Sequence, residues 1–261
     1  MQESLQVAIV QSNLVWENPI ENRLNFVDKI NSISEKTVDL IVLPEMFTSG
    51  FTMNAEIVAE TMEGETVSLL KELAVKKQIA ITGSLVIKED NKYYNRLVFV
   101  KPDGTIQSYN KRHGFSLAGE DKVFTSGTKK LIVSYKGWSI CPLICYDLRF
   151  PVWARNTNDY DVVLYVANWP KPRISAWDAL LKSRAIENMS YAIGVNRVGL
   201  DAKNYEYPGH SAIYNVLGEQ ITSIEPNKEQ IEIVTLSKTH IEKHRRHLGF
   251  LNDKDTFSLE V

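Results

Sequence analysis

The sequence predicts one α/β domain, with two stacked sheets of mixed strand order and helices outside. Three observations carry this. Strand-length apolar runs alternate with segments of helical period. The order is βα units early, hairpins in the middle and more strands late. No repeat, low-complexity stretch or Pro/Gly/Ser linker interrupts the chain. Periodicity alone fixes neither the strand order nor the stacking.

Leu5–Val10 reads as a first strand. Asn18 is a good N-cap, with Pro19 at the first helical position and Glu21 three residues after the cap. Ile20, Leu24, Val27, Ile30 and Ile33 follow at helical spacing and predict the buried face. Asp39–Leu43 is short and apolar, as in a buried strand. Gly64 precedes a second amphipathic helix with Leu69, Leu70 and Leu73. Ile79–Ile87 and Arg96–Val100 read as strands, and Pro102-Asp103-Gly104 turns the second into Thr105–Tyr109. Leu131–Ser134 and Trp138–Ile144 pair around Lys136-Gly137. Val162–Val166 is a strand, and Ile174–Met189 a helix with Ile174, Trp177, Leu181 and Ala185 on one face. Tyr191–Val195, Ala212–Val216, Glu219–Ser223 and Ile231–Leu236 complete the strands. The basic run 243–247 reads as a solvated helix end, where cations are favoured.

Composition removes several function classes. With 261 residues, 44% of them hydrophobic, the chain can bury a core without staples. Net charge is −2, so no basic face is forced and nucleic acid is not an expected partner. A small anionic ligand needs only one or two local cations. Cys141 and Cys145 stand too close on one extended segment for a disulfide, which fits a reducing compartment. A CxxC redox pair is absent, the spacing being CPLIC. The N-terminus has no basic n-region ahead of a long apolar core, and no apolar run reaches spanning length. A cytoplasmic protein with no membrane partner is expected. The histidines and cysteines show no ligand spacing, so no metal is expected, and no Gly-rich phosphate loop is present.

Reactive groups in α/β proteins gather beyond the carboxyl ends of strands. Three such places stand out. Glu45 follows Asp39–Leu43, with Pro44 fixing the backbone before it; it reads as a general base or as a solvated loop acid. Lys111 follows the hairpin strand; it reads as a cation for a developing oxyanion or as one surface lysine among many. Cys145 sits where a very apolar strand gives way to a polar turn; it reads as a nucleophile with free backbone N–H groups beside it, or as a buried structural cysteine. Cys141, mid-strand beside Pro142, fits the structural role better. His113 and His210 are candidate partners for a Cys–His arrangement, but neither has a supporting motif.

Taken together, LPEMF at 43–47, YNKRHGF at 109–115 and CYDLRFP at 145–151 resemble the nitrilase (carbon–nitrogen hydrolase) superfamily. The similarity continues through SRAIEN at 183–188 and NRVG at 196–199, and so covers nearly the whole chain. The resemblance implies a four-layer αββα sandwich that pairs into a homodimer. It implies a carbon–nitrogen hydrolase domain over 1–246 and a tail, 247–261, that docks on the partner subunit. It also implies a Glu–Lys–Cys triad of Glu45, Lys111 and Cys145. Glu120 in SLAGED matches a second carboxylate that orients Lys111 and the substrate amide. Among branches of the family, PEMFTSGF at 44–51, VWARN at 152–156 and NWPKPR at 168–173 look most like the ω-amidases. Those enzymes hydrolyse the terminal amide of 2-oxoglutaramate or 2-oxosuccinamate. Val152 stands where many members have Glu, outside the triad.

The expected chemistry is amide hydrolysis through a cysteine thioester, with no cofactor. Glu45 moves protons, and Lys111 with the backbone N–H of Tyr146 holds the oxyanion. An anionic substrate needs a cation in the pocket, with Arg173 first and Lys171 second. Phe47, Phe51, Trp169 and Trp177 are candidate walls. Arg149, Arg184 and Glu187 read as internal ion pairs, and Asp147 as a turn-fixing carboxylate. The rivals are an amidase for another small amide or carbamoyl compound, and a non-catalytic binding protein on the same fold.

Overall fold

The computed structural model describes residues 2–34 and 38–260. Among them, two mixed sheets stack face to face. The first has the order β13-β1-β2-β3-β4-β5. Its members are β1 (Ser4–Gln11), β2 (Leu40–Val42), β3 (Ala80–Glu89), β4 (Lys92–Val100), β5 (Ile106–Asn110) and β13 (Gln230–Ser237). The second has the order β12-β9-β8-β7-β6. It comprises β6 (Val133–Tyr135), β7 (Trp138–Ile144), β8 (Val162–Ala167), β9 (Tyr191–Asn196) and β12 (Ala212–Tyr214). β1, β2 and β3 run parallel, as do β7, β8 and β9. The parallel centres point their carboxyl ends at one region, where the polar residues described below converge.

Side-chain alternation explains the layering. Leu5, Val7 and Ile9 of β1 pack with Ile140, Leu164 and Ile193 between the sheets, whereas Cys141, Leu143 and Tyr165 share the α6 face with Gly194. Ala8 and Val10 turn the other way, to Phe26, Ile30 and Leu70. Those residues belong to α1 (Pro19–Ser32) and α3 (Glu65–Lys77), which cover the first sheet. α6 (Ile174–Asn188) covers the second through Trp177, Leu181 and Ala185. Gly194 on β9 permits that approach: a Cβ there would lie 2.4 Å from Leu181 Cδ2 and 2.6 Å from Trp177 Cζ2. The result is an αββα sandwich. α2 (Ala55–Val58), α4 (Glu120–Val123) and α5 (Pro151–Ala154) are single turns. α7 (Lys238–Leu248) carries the basic run; its Arg245 binds the carbonyls of Tyr160 and Met189 at 2.6 and 2.8 Å. No helix among the described residues is long and apolar enough to cross a membrane.

Three expectations are corrected. α1 starts at its Asn18 cap, whose Oδ1 accepts the Glu21 N–H, but Ile20 and Leu24 lie outside, 66% and 61% exposed. The inner face is Asn22, Phe26 and Ile30, because the Asn22 side chain is drawn in to Val15 and Thr48. Glu219–Ser223 makes only a bridge from Gln220 to Tyr214. Asn215 Oδ1 accepts the Leu217 and Glu219 N–H groups, which commits that chain to a turn. Finally, β10 (Val198–Leu200) and β11 (Glu206–Pro208) form an unpredicted hairpin.

Candidate active site

Glu45, Lys111, Cys145 and Asn168 follow β2, β5, β7 and β8, and so come from both sheets. Glu45 is fully buried. Its Oε1 accepts from Lys111 Nζ at 2.9 Å and Asn95 Nδ2 at 2.8 Å. Its Oε2 accepts the Asn168 N–H at 2.8 Å, and its carbonyl accepts Asn168 Nδ2 at 2.7 Å. Burying a carboxylate is costly unless it is paired and hydrogen-bonded, and these donors meet that condition.

Lys111 stands between two carboxylates. Glu120, at the start of α4, receives its ammonium at 2.9 and 2.8 Å and also accepts the Phe115 N–H at 2.6 Å. Burial by itself would lower the Lys111 pKa, but Glu120 and then Glu45 hold it raised. Burial raises Glu120, against the opposing pull of Lys111. The ammonium also sits 5.2 Å from the Phe51 ring centroid.

Cys145 directly follows β7 with φ at 43°, in the left-handed region, at a cost on the order of 1–3 kcal/mol. Its Sγ lies 4.0 Å from the Asn168 carbonyl oxygen. Burial first, and Glu45 next, push its thiol well above the ordinary range, with Lys111 pulling the other way. The resting sulfur is therefore a thiol, and it needs a base to become a nucleophile. Tyr146 is the second residue of the 3-10 turn Cys145–Arg149. N–H groups in a first turn have no acceptor within the helix, which leaves this one for an oxyanion.

The cluster opens onto a pocket of about 460 Å³. Cys145, Lys111, Asn168, Tyr146, Phe51, Trp169 and Arg173 line it. The other predicted residues lie elsewhere. Phe47 packs edge-on against Phe26 beneath Gly83, in the core between helix and sheet. Trp177 is fully buried under α6, its Nε1 donating to the His210 carbonyl. Lys171 pairs at the surface with Glu206 at 2.7 Å and does not line the pocket. Arg184 pairs with Glu187 as expected, but Arg149 has no carboxylate partner among the described residues. It lines the pocket, 5.0 Å from the Trp169 ring. Arg173 similarly lies over Phe115 at 5.0 Å. His113 pairs with Asp147 and His210 with Asp178.

Asn95, Asn168 and the pocket-lining Trp16 are site residues that the sequence does not single out. NWPKPR at 168–173 contained the signal for Asn168, at the end of β8; Asn95 lies inside β4 and gave none. No cluster of three or more His, Cys, Asp or Glu among the described residues could hold a metal ion.

An αββα stack with a buried Glu, Lys and Cys at its strand ends is the build of a carbon–nitrogen hydrolase. The chain belongs to that family, whose model, described as carbon-nitrogen hydrolase, matches residues 6–246. It is 42% identical to omega-amidase YafV of Yersinia enterocolitica, over 98% of this chain and 99% of that protein. It is 32% identical to the 2-oxoglutaramate amidase of Bacillus subtilis, over 81% of this chain and 83% of that one. XC1258 of Xanthomonas campestris, a CN-hydrolase superfamily protein with an arsenic adduct in its active site, has the same fold at TM-score 0.96. It is 38% identical, covering 99% of this chain and 100% of that one.

Proposed function

We propose that the protein is an ω-amidase. It hydrolyses the terminal amide of a small 2-oxo dicarboxylic acid monoamide, 2-oxoglutaramate or 2-oxosuccinamate, to the 2-oxo acid and ammonia. The observation that carries this reading is the pairing of a buried Glu45–Lys111–Cys145 cluster with a pocket holding two arginines, Arg149 and Arg173, neither of them paired with a carboxylate among the described residues. The similarity to omega-amidase YafV supports the same substrate class.

The geometry supports the following steps. The Cys145 thiol gives its proton to Glu45 as the sulfur attacks the amide carbon. Lys111 Nζ and the Tyr146 N–H take the oxyanion. Glu45 returns the proton to the departing nitrogen, and ammonia leaves a thioester. Water, deprotonated by Glu45, then releases the acid and restores the thiol. Glu120 keeps Lys111 in place and charged. Arg149 and Arg173 hold the distant carboxylate, Arg149 replacing Lys171 as the partner of Arg173.

The enzyme works in the cytoplasm, a setting its two free cysteines suit. It acts as a homodimer, the tail 247–261 extending the domain 1–246 onto a second copy. Exposed Phe250, Phe257 and Leu259 give that tail apolar contacts to offer. Ammonia release from 2-oxoglutaramate by wild type and Cys145→Ala tests the substrate and the nucleophile together. Release that vanishes in the variant is expected; no release from wild type defeats the substrate assignment.

A further inference from the structure

We propose that Asp147 is the positioning residue that registers the Lys111 ammonium against the Cys145 sulfur. The inference rests on the reading above, in which Lys111 binds the oxyanion formed at that sulfur. Lys111 follows β5 of the first sheet, and Cys145 follows β7 of the second. Their separation therefore depends on how the two sheets are locked together beside the site.

One carboxylate makes that lock. Asp147 is fully buried and accepts four hydrogen bonds. Its Oδ2 takes the Tyr109 hydroxyl at 2.8 Å and the Ile144 N–H at 3.0 Å. Its Oδ1 takes the His113 N–H at 3.0 Å and pairs with His113 Nδ1 at 2.8 Å. Tyr109 and His113 flank Lys111 on either side. Ile144 and Asp147 flank Cys145 in the same way. Both reacting segments are thus pinned at two points to one group that takes no part in the chemistry. Four bonds converging on one buried carboxylate leave it little freedom to move.

The surroundings stiffen the lock. The Tyr109 oxygen also accepts Trp153 Nε1 at 3.0 Å and the Arg112 N–H at 3.2 Å. The His113 ring lies flat on Phe150, centroids 3.6 Å apart and planes 2° from parallel. Phe150 directly follows the 3-10 turn that begins at Cys145.

Two probes of Cys145 separate this role from plain support of the turn. Acylation by p-nitrophenyl acetate passes through an oxyanion; alkylation by iodoacetamide does not. In Asp147→Asn one oxygen acceptor becomes a donor facing donors, and the two segments lose register. A displacement near 1 Å costs about 10²-fold in an oriented reaction, so acylation should fall by about that factor. Alkylation should stay near the wild-type rate. Equal losses in both would overturn the proposal and leave Asp147 a turn-fixing residue. Tyr109→Phe is the second variant, because it removes a bond on the lysine side and keeps the Ile144 bond. It should show the same split, smaller; wild-type acylation in it would count against the proposal even if Asp147→Asn failed to fold. Neither probe is the natural substrate, so failure of the 2-oxoglutaramate assignment would leave this test intact.

Discussion

Lys111 Nζ lies 2.9 Å from Glu45 Oε1, and both side chains are buried. The oxyanion donor and the general base are therefore one electrostatic unit, and the Cys145 thiol feels both.

Glu45→Gln should divide alkylation from turnover. Burial and Glu45 hold the thiol up, while Lys111 lowers it. Without the carboxylate, burial still raises the thiol but one opposing charge is gone, so the thiolate becomes easier to form than in wild type. Iodoacetamide should then label Cys145 at least as fast as in wild type. Ammonia release should drop by about 10²–10⁴, because the leaving nitrogen has lost its proton donor. Parallel labelling and ammonia assays at one pH would check this, and loss of both together would argue that Glu45 only shapes the site.

Lys111→Met should cost activity and, in a pH-dependent way, stability. Loss of one oxyanion donor predicts a fall of about 10²–10³ in kcat. Two buried carboxylates are also left facing each other, a defect of about 3–5 kcal/mol. Glu120, already raised by burial, rises further without the ammonium. A carboxyl raised on folding adds stability below its unfolded value and loses it as pH climbs through the folded one. Thermal unfolding should therefore show a deficit that widens as pH rises above the ordinary carboxylate range. A deficit that narrows as pH rises would contradict the ion cluster.

Arg149→Met and Arg173→Met should raise KM for 2-oxoglutaramate. A lost charge-assisted hydrogen bond of about 1.5–3 kcal/mol corresponds to about 10–100-fold. A short neutral amide should show little change with either variant. Steady-state kinetics on the two substrates gives the comparison, and equal effects on both would remove the carboxylate-binding role.

The fold was largely readable because its signals are periodic. The alternation in β1, the Asn18 cap and the face of α6 each follow from nearest-neighbour spacing. Glu45, Lys111 and Cys145 stand out because each follows a strand, and the motifs around them, which resemble those of the carbon–nitrogen hydrolases, decide between the catalytic and the structural reading. What stayed hidden depends on partners far along the chain. Asn22 turns α1 by bonding Val15 and Thr48, so the Ile20–Leu24 stripe misleads. Arg149 has the sequence context of an ion pair, yet only the fold sets it over Trp169. Asn95 and Asn168 hold Glu45 through neutral amides, which have no charge pattern to read.

The two cysteines should differ sharply in the native protein. Cys141 is fully buried in mid-β7, and burial pushes its thiol up to about 12. Iodoacetamide should label one thiol in buffer and two in urea. The raised Cys141 value also predicts a sign: the stability it contributes is whole below the ordinary thiol value and fades as pH rises toward about 12. Peptide mapping and alkaline melts read these separately. Rapid native labelling of Cys141 would contradict its burial on the helix-covered face of the second sheet.

The covalent intermediate is the centre of the account, and it can be seen directly. Wild type mixed with 2-oxoglutaramate, quenched in acid within the first turnovers and digested for mass spectrometry, should carry the acyl group on the Cys145 peptide. Cys145→Ala should carry none and release no ammonia. Ammonia release by that variant, or turnover with the acyl group on another residue, would contradict the mechanism.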